Sequence, residues 1–243
     1  MLRKMTSGGL EPGIKDDSLY VDGQQLANLD LSGRVFKHFV VVGSRFENCT
    51  FDRTFISHAN LGAGDPPSEF VDCSFDNARL RHIWTGNTRF VRCAFTNVSI
   101  VDLDASSMEF IECVFTGRIQ KALFWGVPPT EFRPYLRSTN QFWGNDFSGA
   151  QLSDVSFRGG IDLRRQSLPS GRDYIYIADA AAGVARAREV LRTWNDSHEI
   201  GIAERTLQRL QAQVDHGQEQ FFFCIAGQSG GQRLARLFGV NLT

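Results

Sequence analysis

Four of the five cysteines are the residues whose type and spacing first invite a chemical role. Cys73, Cys93 and Cys113 recur at intervals of twenty residues, and Cys49 precedes them by twenty-four. Thiolates bind zinc, but a zinc site needs ligands that converge on one point, whereas even spacing predicts a column of parallel side chains. Parallel Cβ vectors also disfavour disulfides. We therefore predict that these thiols fill a core, expect no metal site, and predict that Cys224 is buried as well.

No other constellation predicts catalysis. His58 and His82 lie in predicted walls away from any obvious nucleophile, and the sequence lacks the serine-hydrolase, zinc-protease, Walker A and Rossmann motifs. Asp102 and Asp104 alternate on one wall, but a carboxylate pair alone does not make an acid–base site. We predict no catalytic residues, no cofactor and no enzymatic activity.

A five-residue period of large apolar residues defines the element that must position the cysteines. It fits neither a helix of 3.6 residues per turn nor a strand of two, so the chain must turn a corner every five residues, and four sides close a square coil. Each cysteine lies between two phenylalanines of this coil, and these predicted core residues are Phe46, Phe51, Phe70, Phe75, Phe90, Phe95, Phe110 and Phe115. Neighbouring turns should stack about 4.8 Å apart.

The repeat resembles the pentapeptide-repeat family in segments such as His58-Ala59-Asn60-Leu61, Asp76-Asn77-Ala78-Arg79-Leu80 and Asp146-Phe147-Ser148-Gly149-Ala150-Gln151-Leu152. The resemblance covers roughly residues 26–119 and 145–163. It implies an all-β solenoid, the right-handed quadrilateral parallel β-helix of that family. Phe often stands for Leu and Cys for Ala, which is typical of a divergent member.

The pattern predicts an N-terminal segment over 1–25, the β-helix over 26–163 with an insertion at 120–144, and a C-terminal helical segment over 164–243. The insertion is rich in the aromatic and arginine residues that anchor interfaces. We consider it either a protein-binding loop or a segment that folds back to cap the coil wall. Its candidate binding residues are Phe124, Trp125, Arg133, Tyr135, Arg137, Phe142 and Trp143.

Apolar residues at spacings of three and four predict helices over 177–195 and about 200–215, joined as a hairpin, with a short basic helix near the end. A solenoid needs its open end covered, so we expect this segment to cap the coil or to pair two copies as a homodimer. The alternative is an adaptor whose Phe221–Phe223 and basic helix contact a membrane or a partner subunit.

Charge and composition limit the classes of partner that this chain can bind. The net charge is −1, with 26 basic and 27 acidic residues, so we expect no direct nucleic-acid binding. The family resemblance implies an alternative, protection of DNA gyrase by mimicry of DNA, but residues 26–119 carry eleven acidic against nine basic residues, which is a poor polyanion. The sequence shows neither a secretory signal nor an apolar stretch of about 20 residues, so we expect a cytoplasmic scaffold that binds a protein.

Overall fold

The computed structural model describes residues 13–62, 64–84, 86–129, 137–226 and 230–240. Strands stack into two parallel sheets along a solenoid, and the chain ends in a small α/β segment. The strands are β1 (Gly13–Lys15), β2 (Ser18–Asp22), β3 (Gln25–Ala27), β4 (Val35–Val42), β5 (Arg45–Glu47), β6 (Phe55–Leu61), β7 (Ser68–Val71), β8 (Arg79–Trp84), β9 (Thr88–Val91), β10 (Ala94–Ala105), β11 (Met108–Ile111), β12 (Val114–Trp125), β13 (Phe142–Trp143), β14 (Asp146–Arg158), β15 (Tyr174–Ile177) and β16 (Phe221–Cys224).

The first sheet has the order β1-β2-β4-β6-β8-β10-β12-β14, parallel throughout except that β1 runs antiparallel to β2. The second sheet, β13-β11-β9-β7-β5-β3, is parallel. Isolated bridges such as Thr50 to Ser74 and Ser74 to Ala94 join a further wall of the coil. The predicted parallel solenoid is thus confirmed.

Most corners of the coil, which recur every five residues, pass through left-handed backbone. Asp72, Asn77 and His82 have φ values of 53°, 57° and 48°, and Arg92 and Asn97, one turn later, have 50° and 53°. Asn and Asp tolerate this conformation better than most residues because their short polar side chains bond locally. This is the physical reason that small polar residues follow the apolar centres.

Phenylalanine rings stack in continuous columns through the core. The centroids of Phe75 and Phe95 are 4.8 Å apart, as are those of Phe95 and Phe115, with nearly parallel planes. In the adjacent column, Phe70 and Phe90 lie 4.9 Å apart. The turn spacing of a parallel sheet sets these distances, which are suited to offset stacking.

The coil is longer than the sequence pattern indicates at both ends of its main run. It begins at Ser18 in β2, not at residue 26, and Leu19 and Val21 are buried in the same core. The prediction that the chain leaves the coil at residue 120 is wrong, because β12 continues to Trp125. The register between β10 and β12 shifts by one residue at Gly117, whose φ is 91°. The step from the buried Phe115 to the next buried centre, Ile119, is therefore four residues and not the usual five.

The C-terminal segment contains helices α1 (Ala180–Leu191), α2 (Ser197–Asp215) and α3 (Gly231–Leu237). The side chains of Asp179 and Asp196 cap the first two by accepting backbone N–H bonds. Strand β16 pairs with β15, and its Phe222 and Cys224 join the solenoid core. No helix in the described ranges is long and apolar enough to cross a membrane.

Buried glutamines bond the last turn of the coil. Gln218 and Gln220 are 2% and 1% exposed. Their side-chain oxygens accept from the backbone N–H groups of Gly160 and Leu163 at 3.1 and 3.0 Å. These amides thus satisfy backbone donors that a further strand would otherwise bind, so the segment caps the solenoid in this structure.

Candidate partner-binding groove

Two residues predicted for a partner interface lie inside the core. The exposed fractions of Phe124 and Phe142 are 1% and 7%. The Phe124 ring lies 5.5 Å from that of Phe110 and 5.4 Å from that of Phe142. Interface roles for this pair are therefore wrong, because the coil continues through both residues. Arg133 and Tyr135, which were predicted for the same interface, lie outside the described residues.

Arg137 is bound within the chain. Its guanidinium contacts the carboxylate of Glu109 and the side-chain oxygen of Asn87. Glu109 is 1% exposed and also accepts from Arg89 Nε at 2.6 Å. Arg137 therefore fastens the returning end of the insertion to the second sheet, which is a positioning role and not a free anchor.

The two tryptophans of the predicted set remain partly exposed, and each lies beneath an arginine. The guanidinium carbon of Arg158 is 5.8 Å from the ring centroid of Trp125, and that of Arg165 is 5.3 Å from Trp143. The arginines come from β14 and from the 3-10 helix Leu163–Arg165 that follows it. Trp–Arg pairs of this kind are enriched at protein interfaces, since both side chains offer large contact areas.

An open groove of about 330 Å³ lies beside Trp143 and Arg165, where the chain leaves and re-enters the coil; we call it the exit groove. Its walls approach closely at glycines, since a Cβ on Gly126 would lie 2.7 Å from the carbonyl oxygen of Gly159. Its lining residues are Gly126, Val127, Thr139, Asn140, Gln141, Phe142, Trp143, Gly159, Gly160, Ile161, Asp162 and Arg165.

Asn140 fastens the wall of the exit groove to the coil. It is 7% exposed, and its side-chain N–H groups donate to the carbonyls of Ser106 and Trp125 at 3.0 and 2.8 Å. Its side-chain oxygen is buried without a hydrogen-bond donor in the part of the chain described. Because this oxygen is buried, it is out of reach of a partner bound in the groove.

The thiols of the cysteine column pack in the solenoid core. All five thiols are free and buried. Each thiol of the column contacts a backbone carbonyl of the preceding turn: Cys49 to Leu26 at 3.6 Å, Cys73 to Phe46 at 3.5 Å, Cys93 to Phe70 at 3.3 Å and Cys113 to Phe90 at 3.6 Å. Asn145 continues the column and donates to the carbonyl of Phe110 at 2.8 Å.

Burial also suppresses thiol reactivity. It raises the pKa of the Cys224 thiol to about 11 and raises that of Cys93 as well, because a thiolate is poorly solvated there. Within the described ranges, no three His, Cys, Asp or Glu side chains are arranged to hold a metal ion.

The histidines form a stack that the sequence interpretation missed. His38, His58 and His82 occupy one corner of successive turns, with ring centroids 5.8 and 5.2 Å apart. His82 Nδ1 lies 2.7 Å from the carboxylate of Asp102 on the next turn. Their spacing of twenty and twenty-four residues, the same as that of the cysteines, is the sequence signal for this stack.

The tail proposed as a membrane-surface element is packed against the rest of the segment. Phe221 and Phe222 are 3% and 7% exposed, so they lie in cores rather than on a surface. In the basic helix α3, Arg233 pairs with Glu199 at 2.7 Å, and Arg236 lies 4.1 Å from the Trp194 ring centroid. These contacts do not favour the membrane-docking interpretation of this tail, because most of its apolar and cationic groups have partners within the chain; that interpretation stays a prediction.

Comparisons with known proteins return only structural neighbours. No family model and no curated protein matches the chain. Two trypsin-treated forms of QnrB1, a plasmid-mediated fluoroquinolone resistance protein, are similar to it. One is 18% identical with a TM-score of 0.23, covering 61% of this chain and 71% of that one. The other is 17% identical with a TM-score of 0.20, covering 61% and 79%. At such low identities and TM-scores, neither similarity supports a statement about the partner or activity of this chain.

Proposed function

We propose that this chain is a non-enzymatic scaffold of the pentapeptide-repeat type that binds a protein partner in the cytoplasm through the exit groove. The observation that carries the proposal is the groove itself, where the partly exposed Trp143 lies against the exposed Arg165. A partner segment would cover the indole and accept hydrogen bonds from the guanidinium. The free, buried thiols suit a reducing compartment.

The rigid coil supports this function because it holds the groove without needing the partner. Trp143 pairs with Ile111 in the second sheet, and Arg165 follows directly on the last turn. A preformed site loses little conformational entropy on binding, which raises affinity for a given contact area.

The experiment compares capture of partners from a lysate of the source cells by the wild type, Trp143→Ala and Arg165→Ala. The control is Tyr176→Ala, which removes an aromatic side chain that is 44% exposed on β15, outside the groove. We expect both groove variants to lose a protein that the wild type and control retain, and the purified pair to bind at least tenfold more weakly after either substitution. An unchanged affinity for every variant would contradict the proposal.

Pairing of two copies through the C-terminal helices stays a second proposal about the partner. The outward side chains of α1 and α2 are chiefly charged or small, including the exposed Arg186, Glu204 and Arg205. A dimer formed there would have a polar interface, so its association should weaken at high salt. Sedimentation velocity at low and high salt measures this.

A further inference from the structure

Charges are sorted by face along the solenoid, although the chain as a whole is nearly neutral. On the outward surface of the second sheet they alternate in sign from turn to turn. Arg45 pairs with Glu69, which pairs with Arg89, which pairs with Glu109. Nearby, Arg92 Nε bonds Asp72 at 2.7 Å. Each cation here is neutralised by its neighbours.

A different wall of the coil carries the remaining cations. It is formed by the β4, β6, β8, β10 and β12 segments whose inward residues are Phe36, Ile56, Leu80, Ile100 and Ile119. We call its outward surface the basic face. Its exposed cations, including those at its corners, are Lys37, Arg53, Arg79, Arg81, Arg118 and Lys121.

Three guanidiniums at the centre of the basic face are without a carboxylate partner in the part of the chain described, namely Arg79, Arg81 and Arg118. The bordering carboxylates are largely engaged. Asp17 pairs with Lys37 at 3.2 Å, and Asp102 lies 2.7 Å from His82 Nδ1.

Apolar groups lie among these cations. Val35 is 51% exposed, and Phe55 is its neighbour on the next turn and pairs with Arg79 on the turn after that. The Arg81 guanidinium carbon lies 5.9 Å from the Phe55 ring centroid. A cation–π contact of this kind leaves guanidinium N–H groups available to bind a carboxylate. Beyond the histidine corner, Trp84 is 65% exposed.

We infer that the basic face binds an acidic protein segment that carries apolar side chains among its carboxylates. The inference rests on the proposed scaffold function and adds the chemistry of a second contact. Arg79 and Arg118 pair with Ser99 from opposite sides, so they stand two turns, or about 10 Å, apart along the rod. Val35 and Phe55 favour a protein over a nucleic acid, because a phosphate backbone offers nothing apolar to cover them.

The test measures fluorescence anisotropy of a labelled peptide built from repeated Asp-Glu-Phe units. The variant Arg79→Glu/Arg81→Glu is compared with the control Arg186→Glu/Arg205→Glu, which makes the same change of charge at exposed positions on α1 and α2. We expect the wild type and control to bind in a salt-dependent way and the face variant to bind at least tenfold more weakly. Thermal melts verify that every variant is folded, and Arg79→Gln/Arg81→Gln, which adds no repulsion, should lose affinity as well.

Three outcomes would overturn the inference: equal loss of affinity in the control, retained affinity in the Glu variant, or tighter binding of a labelled single-stranded DNA than of the peptide. The groove variants distinguish this failure from failure of the scaffold proposal. If Trp143→Ala loses its captured partner while Arg79→Glu/Arg81→Glu leaves the peptide affinity unchanged, the scaffold proposal is retained and the inferred second contact is rejected.

Discussion

Glu109 joins the insertion to the coil through three contacts to one buried carboxylate. Arg89 and Arg137 supply charge, the backbone N–H of Gln141 donates at 2.9 Å, and the carboxylate itself is 1% exposed. Removing the charge of Glu109 costs stability because Arg137, whose side chain is only 18% exposed, then lacks its carboxylate partner. This one side chain therefore sets the position of the segment that leads into the exit groove.

The substitution Glu109→Gln should lower the free energy of unfolding by about 3 kcal/mol, since it keeps the shape of the side chain and removes its charge. Urea denaturation followed by circular dichroism measures the change. The matched control, Glu112→Gln, alters an exposed corner residue and should stay within about 0.5 kcal/mol of the wild type. Equal effects of the two would show that the buried ion pair does not hold the insertion.

The buried thiols predict a loss of stability in alkaline solution. Burial raises the pKa of Cys224 to about 11, so the folded state keeps a proton that the unfolded state releases at lower pH. The contribution of this thiol to the free energy of unfolding is complete below the ordinary thiol pKa and is lost as pH rises toward about 11. The free energy of unfolding measured with urea should therefore be lower at about pH 10.5 than at about pH 8. Tyr174 shifts in the same direction, so Cys224→Ala should reduce the slope without abolishing it.

At the residue scale, the sequence predicted side chains whose environment repeats and missed those that depend on a single irregularity. The Cys73 and Phe75 columns follow directly from the period of twenty. Phe124 was assigned to a surface because the four-residue step at Gly117 moved it out of phase. Arg137 was read as a free anchor because no local pattern reveals a buried carboxylate at Glu109.

Among the elements, the cap shows how an α/β segment ends a β-solenoid. Strand β16 closes the core with Phe222, whose ring lies 6.1 Å from that of Phe157 and 5.3 Å from that of Tyr174. Gln218 and Gln220 bond the backbone of the last turn. Helical periodicity predicted α1 and α2, but it gave no sign of these buried glutamines, since their role depends on donors about sixty residues away in the chain.

Replacing Gln220 by Ala should lower the free energy of unfolding by about 1–3 kcal/mol, because the Leu163 N–H loses its acceptor in a site that excludes water. Gln208→Ala, on the exposed side of α2, should change it by less than about 0.5 kcal/mol. Hydrogen exchange gives a more local readout. Leu163 should exchange faster in the Gln220 variant while amides in β8 keep their protection, and uniform acceleration would argue against a local cap.

For the whole molecule, the arrangement of charge matters more than its sum. The counts of eleven acidic and nine basic residues between 26 and 119 describe a neutral rod. The structure divides this rod into a paired face, where Arg45, Glu69 and Arg89 alternate, and a face centred on Arg79 and Arg81, which none of the described carboxylates binds. A one-dimensional count misses this division, because the two faces interleave along the sequence at intervals of ten residues.

This division argues against mimicry of DNA and predicts no protection of DNA gyrase. A mimic must present carboxylates where phosphates would lie, yet Glu69, Glu109 and Asp72 are each bound by an arginine, and the basic face would be repelled by a surface built for DNA. In a supercoiling assay with gyrase and ciprofloxacin, added protein should leave the inhibition unchanged. Arg79→Glu/Arg81→Glu should not create protection either, because reversing the charge of one face leaves the paired face neutral. Clear, concentration-dependent rescue by the wild type would contradict this reasoning and favour the gyrase alternative over the scaffold.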